Sequence, residues 1–261
     1  MNATPTSTPS TPRIALITGG SRGLGRSAAL HLAASGWDVV ITYAERADAA
    51  QETVAAVAQA GRKAVALQLD TGKSGTFAAF ADTFRATLAQ EFGRERFDAL
   101  FNNAGNGSNV PFMQTTEQEF DNLMNIHLKG VFFLTQALVP LLADGGRILN
   151  VSSGLARFCA PGKATYATMK GGIEVLSRYL ASELGPRGIR VNTLAPGAIA
   201  TDFGNGVVRD NPQVNAMVAA NTALGRVGQP DDIGGAVAAL LSSDMGWMTG
   251  ERIEVSGGMH L

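Results

Sequence analysis

One cysteine, Cys159, stands among 261 residues. A lone thiol closes no internal disulfide, so nothing covalent staples this chain, which suits a reducing compartment. Charge of either sign is sparse and balanced. Lys and Arg number 21 against 22 Asp and Glu, and no basic run stands out. Nucleic acid and anionic membrane are therefore not the expected partners. Long apolar runs are missing too: charges and glycines interrupt every stretch before the roughly 18 residues a membrane span needs. Residues 1–12 lack the basic start and apolar centre of a signal peptide. Rich in Thr, Ser and Pro, they read as a disordered tail. The expected location is cytoplasmic, and no metal site is expected.

What is present is a substantial apolar complement, 45% of residues, in a chain long enough for one large α/β domain or two small ones. Seven short runs rich in β-branched residues occupy 13–18, 37–43, 63–70, 97–102, 147–152, 189–194 and 252–255. Helical stretches lie between them at 24–35, 47–60, 74–92, 116–142, 164–184 and 231–243. Each parallel strand pair needs a crossover, so this alternation predicts a parallel sheet with helices on both faces. The strands are nearly continuous in apolar residues, as they must be when both faces are covered. No break in composition divides residues 13–261, which are expected to form one domain.

Chemistry-bearing residues gather where these strands end. The first strand runs into Thr18-Gly19-Gly20-Ser21-Arg22-Gly23-Leu24-Gly25 and straight on into a helix. Glycines there permit a tight turn and close backbone approach, and the helix amides suit a pyrophosphate; a merely structural glycine turn is the alternative. The second strand ends at Tyr43, where an NAD site of this kind usually has a carboxylate. Arg22, helped by Arg46, would instead neutralise a 2′-phosphate, so NADP(H) is favoured over NAD(H), although Glu45 lies close by. Asp70-Thr71 and Asn102-Asn103-Ala104-Gly105 close the third and fourth strands, as ligand contacts or as turns and caps. Tyr166 and Lys170, four apart on a helix, are neighbours roughly 6 Å apart, and an ammonium beside a phenol favours the phenolate. Tyr166 is thus a candidate acid or base. Ser153, ending the preceding strand, would add a hydroxyl to the same volume. A surface tyrosine with a solvated lysine is the other reading of the pair. Cys159, between Ser153 and Tyr166, reads as pocket lining or apolar filler.

Taken as a set, these motifs resemble the short-chain dehydrogenase/reductase family in its single-domain form. The set comprises Thr18-Gly-x-x-x-Gly23-x-Gly25, Asn102-Asn-Ala-Gly105, Ser153, Tyr166-x-x-x-Lys170, Pro196-Gly197 with Ile199 and Thr201, and Gly257-Gly258. The resemblance implies a doubly wound, seven-stranded Rossmann sheet and hydride transfer between a nicotinamide and a carbonyl or alcohol carbon. It gives Tyr166 the proton exchange, Lys170 the nicotinamide ribose and the lowering of the tyrosine pKa, and Ser153 the orientation of the carbonyl. Gly19, Ser21, Arg22, Leu24 and Gly25 would take the phosphates, Asp70 and Thr71 the adenine, and Asn103, Ala104 and Gly105 the ribose. Pro196, Gly197, Ile199 and Thr201 would meet the nicotinamide amide.

The resemblance breaks at His127, which falls where the family usually has an asparagine of a water relay. Histidine either sustains an altered relay, with an added pH dependence if it titrates near neutrality, or is a buried structural residue. The family places a mobile lid at 201–224, for which a surface helix pair is the plainer reading, and pairs helices such as 116–142 and 164–184 in a homodimer or homotetramer. Phe158, Cys159, Pro161, Phe203 and Met217 suggest an apolar pocket, fit for an aliphatic or aromatic ketone or a 3-oxoacyl thioester. The alternatives are an NAD-dependent alcohol dehydrogenase and a cofactor-binding regulator without turnover.

Overall fold

The computed structural model describes residues 11–261, so the expected tail lies, but for Thr11 and Pro12, outside the described residues. Among the described residues seven strands are formed: β1 (Ile14–Ile17), β2 (Asp38–Tyr43), β3 (Ala64–Gln68), β4 (Phe97–Asn102), β5 (Leu142–Val151), β6 (Arg190–Pro196) and β7 (Arg252–Val255). They pair, all parallel, in the order β3-β2-β1-β4-β5-β6-β7. The helices are α1 (Gly23–Ala34), α2 (Ala47–Gln59), α3 (Phe77–Phe92), α4 (Glu117–Met124), α5 (Gly130–Leu138), α6 (Ala164–Leu184), α7 (Val207–Asp210), α8 (Pro212–Ala220) and α9 (Pro230–Leu240). Among the described residues no helix is long and apolar enough to cross a membrane.

The period of two along each strand builds two cores. In β1, Ile14 and Leu16 face a layer with Phe77, Phe80, Phe84 and Leu88 of α3, Leu134 of α5 and Ala181 of α6. Ala15 and Ile17 face the opposite layer, with Ala28 and Leu32 of α1, Val57 of α2 and Ile233 and Val237 of α9. Phe84 is fully buried, edge-on to Phe97 at 5.0 Å between centroids and stacked on Phe80 at 6.2 Å. The layers thus form a doubly wound sheet. Its strand order reverses at β1, which has β2 on one side and β4 on the other, and open sheets of this kind bind ligands at such a reversal.

The expected helix at 116–142 is three pieces. Thr116 caps α4, its hydroxyl accepting from the Glu119 amide at 3.2 Å. A π-helical turn, Asn125–Lys129, then separates α4 from α5. Pro140 has no amide to continue the ladder, so the chain tightens through Val139–Leu141 and enters β5 five residues earlier than expected. An inserted π residue leaves the apolar periodicity almost untouched, so the sequence pattern does not show it; such turns cluster at functional sites. Under the β4 and β5 termini, the Asn102 amide donates to Asn150 Oδ1 at 2.8 Å, and the Asn150 amide donates to Ser177 Oγ at 2.9 Å. This buried ladder fixes α6 against the sheet.

Candidate active site

The glycine loop is braced from the end of β4. Thr18 Oγ1 accepts from the amides of Asn103 (2.9 Å) and Ala104 (3.0 Å). The Asn103 side-chain amide donates back to the carbonyls of Thr18 (2.9 Å) and Gly19 (3.1 Å). A Cβ on Gly25 would fall 2.3 Å from the Gly19 carbonyl oxygen, so only glycine lets the loop fold onto α1 this closely. Gly19 and Gly23 have φ of +66° and +55°, in the left-handed region glycine tolerates. Arg22, at the N-cap of α1, makes no side-chain cap, and the first turn holds no acid. The amides there are open to an anion, and the cradle fits a dinucleotide pyrophosphate.

Around this cradle the charged candidates differ. Arg22 is exposed and 3.4 Å from Asp202, a partner 180 residues away that sequence reasoning missed. Arg46 forms a two-pronged pair with Asp48, both contacts 3.0 Å, which occupies its guanidinium at the start of α2. Asp70 accepts from the Gly72 amide at 2.9 Å and pairs with Lys73, which makes it the cap of a turn in this structure. The carbonyl of Thr71 lies against Gly130, where a Cβ would approach to 2.2 Å.

Ser153, Tyr166 and Lys170 converge. Ser153 follows β5 in an extended conformation, and α6 brings Tyr166 and Lys170 down onto the strand ends, 8% and 4% exposed. Lys170 Nζ lies 5.5 Å from the Tyr166 ring centroid and donates to the Val151 carbonyl at 2.8 Å. The surface reading of this pair is therefore excluded. The electrostatics differ from the sequence expectation: burial pushes the Tyr166 phenol above its ordinary value, and a hydrogen bond from Ser153 only partly opposes that. The same burial pushes Lys170 down to about 7, so its ammonium is only partly charged near neutrality and lends the phenolate little support.

His127, on the π turn, is 1% exposed and meets the Tyr166 ring edge-on at 5.1 Å between centroids. Its Nε2 lies 2.9 Å from the carbonyl oxygen of Asn106 and 3.0 Å from Asn106 Oδ1. A carbonyl only accepts, so the 2.9 Å contact favours a proton on Nε2, while the Asn106 amide approaches the same nitrogen at 3.4 Å; Nδ1 has no partner among the described residues. Burial first, then the nearby Lys170, holds the imidazole well below its ordinary pKa, so the expected titration near neutrality does not arise. Gly105 makes room for the ring, since a Cβ there would lie 2.6 Å from Cε1.

Comparison with known proteins agrees with this fold. A family profile described as enoyl-(acyl carrier protein) reductase, of the short-chain dehydrogenase type, matches residues 19–260. The chain belongs to the short-chain dehydrogenase/reductase family. It is 38% identical over 248 residues to an uncharacterized oxidoreductase of Methylorubrum extorquens, covering 95% of this chain and 98% of the relative. It is 36% identical over 249 residues to the 3-oxoacyl-[acyl-carrier-protein] reductase FabG of Staphylococcus epidermidis, again covering 95% and 98%. Among solved structures, the angucycline C-6 ketoreductase LanV with bound NADP matches with a TM-score of 0.90 and 35% identity, covering 95% of each chain. As a short-chain dehydrogenase/reductase, the protein is an enzyme that moves hydride between a nicotinamide dinucleotide and a carbonyl or alcohol carbon.

The remaining features of this short-chain dehydrogenase/reductase surround that centre. Pro196 ends β6, and the Gly197 amide donates to the Val255 carbonyl at 3.1 Å, tying the segment to β7. Ile199 bridges to Gly228, and Thr201 Oγ1 accepts from the Phe203 amide at 3.2 Å. The stretch 201–224 contains α7 and α8, the helix pair, with Phe203 leaning edge-on to Tyr166 at 5.9 Å. Cys159 is exposed, as are Phe203 and Met217, which argues against its being buried apolar filler. Sequence reasoning missed Asn106, the anchor of His127; its only signal was its place directly after the Asn-Ala-Gly turn.

Proposed function

We propose that the enzyme reduces a neutral, largely apolar ketone, using NADP(H) in preference to NAD(H). The observation that carries this reading is the burial of Tyr166 and Lys170 together beneath Ser153, a hydroxyl, a phenol and an amine in one volume at the strand ends. When bound, the dinucleotide supplies the hydride that reaches the carbonyl carbon. Tyr166 would hand its hydroxyl proton to the carbonyl oxygen; burial keeps the phenol protonated at working pH and opposes the transfer, and the hydrogen bond from Ser153 works against that burial. Ser153 donates a hydrogen bond that orients the carbonyl. Lys170 would hold the nicotinamide ribose, and neutral His127 packs edge-on to the Tyr166 ring.

Gly19, Ser21, Leu24 and Gly25 would hold the phosphates, Asp70 and Thr71 the adenine, Asn103, Ala104 and Gly105 the ribose, and Pro196, Gly197, Ile199 and Thr201 the amide. Arg22 would take the 2′-phosphate. Its exposed contact with Asp202 is weak enough to yield to a dianion. The NADP bound by LanV supports this preference. A neutral ketone is favoured because Arg157, four residues beyond Ser153, is committed to Glu254, and Arg209 in the lid to Asp202 and Asp210. The exposed apolar residues Phe132 and Phe133 of α5 and Val175 and Tyr179 of α6 support a homodimer or homotetramer, and the balance of charge and the single thiol support a cytoplasmic location.

The test is to follow NADPH absorbance with a panel of aliphatic ketones, polycyclic aromatic ketones and 3-oxoacyl thioesters. Wild type should turn over at least one class, and Tyr166→Phe should lose on the order of 10²-fold or more in kcat. Equal rates for the two proteins would refute the role given to Tyr166.

A further inference from the structure

A chain of charged side chains lies behind Ser153 that no step above uses. Arg252, in β7, places Nε 2.7 Å from Glu174 Oε1 and Nη1 2.8 Å from Glu254 Oε2. Its Nη2 donates to the carbonyl oxygen of Ser153 itself at 3.3 Å. Glu254, two residues along the strand and so on the same face, also receives Nε and Nη2 of Arg157 at 2.8 and 2.7 Å and the hydroxyl of Ser256 at 2.9 Å. Glu174, on α6, accepts from the Ser152 hydroxyl at 2.7 Å. Arg157 continues to the carbonyls of Met259 and His260, both at 2.8 Å.

The network grips the Ser153 loop at three points: the residue before it, its own carbonyl, and the arginine that closes the following turn. The side chains of Glu174, Glu254 and Arg252 are only 16%, 19% and 23% exposed, so these are not loose surface pairs. Arginine forks meeting carboxylates in this way fix direction as well as distance. Two arginines hold the Glu254 carboxyl down to about 2, so that carboxylate remains charged at any working pH.

We propose that Arg252 and Glu254 are positioning residues for the reaction: from β7 they fix the loop that presents the Ser153 hydroxyl to the substrate carbonyl. A serine at a strand end swings when its peptide is not held, and a displacement of about 1 Å at a reacting group costs up to about 10²-fold in rate. This inference rests on the role given to Ser153 above.

The test measures ketone reduction by Glu254→Gln and Arg252→Lys, each made in wild type and in Ser153→Ala. Glutamine keeps the shape of Glu254 without its charge, and lysine keeps the charge of Arg252 without its fork. Ser153→Ala alone should lose about 10²-fold in kcat. In the wild-type background each network variant should lose about tenfold in kcat with the KM for NADPH unchanged; in Ser153→Ala it should lose nothing further, because groups acting as one unit are not additive. The same tenfold loss in both backgrounds, or no loss in wild type, overturns the proposal. Full activity in Ser153→Ala would instead remove the role of Ser153, and this inference with it. If Glu254→Gln does not fold, Arg252→Lys makes the same comparison.

Discussion

Replacing Gly25 by alanine tests the cofactor cradle most directly. The added methyl would sit 2.3 Å from the Gly19 carbonyl oxygen, 2.7 Å from the Asn103 side-chain nitrogen and 3.0 Å from the Gly19 carbonyl carbon. Two of those neighbours are backbone and cannot rotate away, and the third braces the loop by its bonds to Thr18 and Gly19. The loop must therefore open. Overpacking of this kind costs about 1–3 kcal/mol, which for a chain of this size lowers the thermal midpoint by about 2–6 °C. The same opening moves the amides offered to the pyrophosphate, so NADPH should bind about 10- to 100-fold more weakly, read by titrating nucleotide fluorescence. Gly171→Ala is the matched control. It lies in α6 with ordinary dihedrals and nothing within 4 Å of the new methyl, so helix propensity alone should stabilise the protein by about 0.5–1 kcal/mol. An unchanged midpoint and an unchanged Kd in Gly25→Ala would refute the close-approach argument.

Other consequences are equally measurable. Phe84→Ala empties a fully buried site between Phe80 and Phe97 and should cost about 3–5 kcal/mol in chemical denaturation. Lys170 sets a pH dependence on the cofactor-free protein. Its pKa falls from 10.5 to about 7 on folding, so between those values the unfolded chain binds the extra proton and stability rises with pH. That rise should be absent from Lys170→Met when thermal midpoints are compared across the window; parallel curves would contradict the burial argument. His127→Asn should leave the pH at half-maximal kcat unchanged, because the imidazole is already neutral at working pH, while kcat falls as the Tyr166 ring loses its packing. A shifted pH profile would show that His127 exchanges a proton after all.

The alternating elements were legible in sequence because each is encoded within a few consecutive residues. The run 164–184 and α6 share their bounds, and each strand run ends within two residues of the end of its strand. The π turn was not legible, since one inserted residue hardly disturbs apolar spacing. The Tyr166 and Lys170 pair could be read because four residues is one turn of helix. Their shared burial, which reverses the expected pKa of the tyrosine, could not be read from that spacing.

The amino-acid order by itself determined the parallel α/β plan, the glycine cradle at the first crossover and the trio Ser153, Tyr166 and Lys170, because backbone conformation and helical spacing act over short separations. Only the tertiary structure decided that Asp202 lies against Arg22, that Asn106 anchors His127 through Nε2, and that Arg252 reaches from β7 to Glu174 and the carbonyl of Ser153. Those contacts join residues as far as 180 positions apart, and burial sets the charge on the groups they join. Distance in space and access to water are properties of the packed chain, and no local pattern of residues carries them.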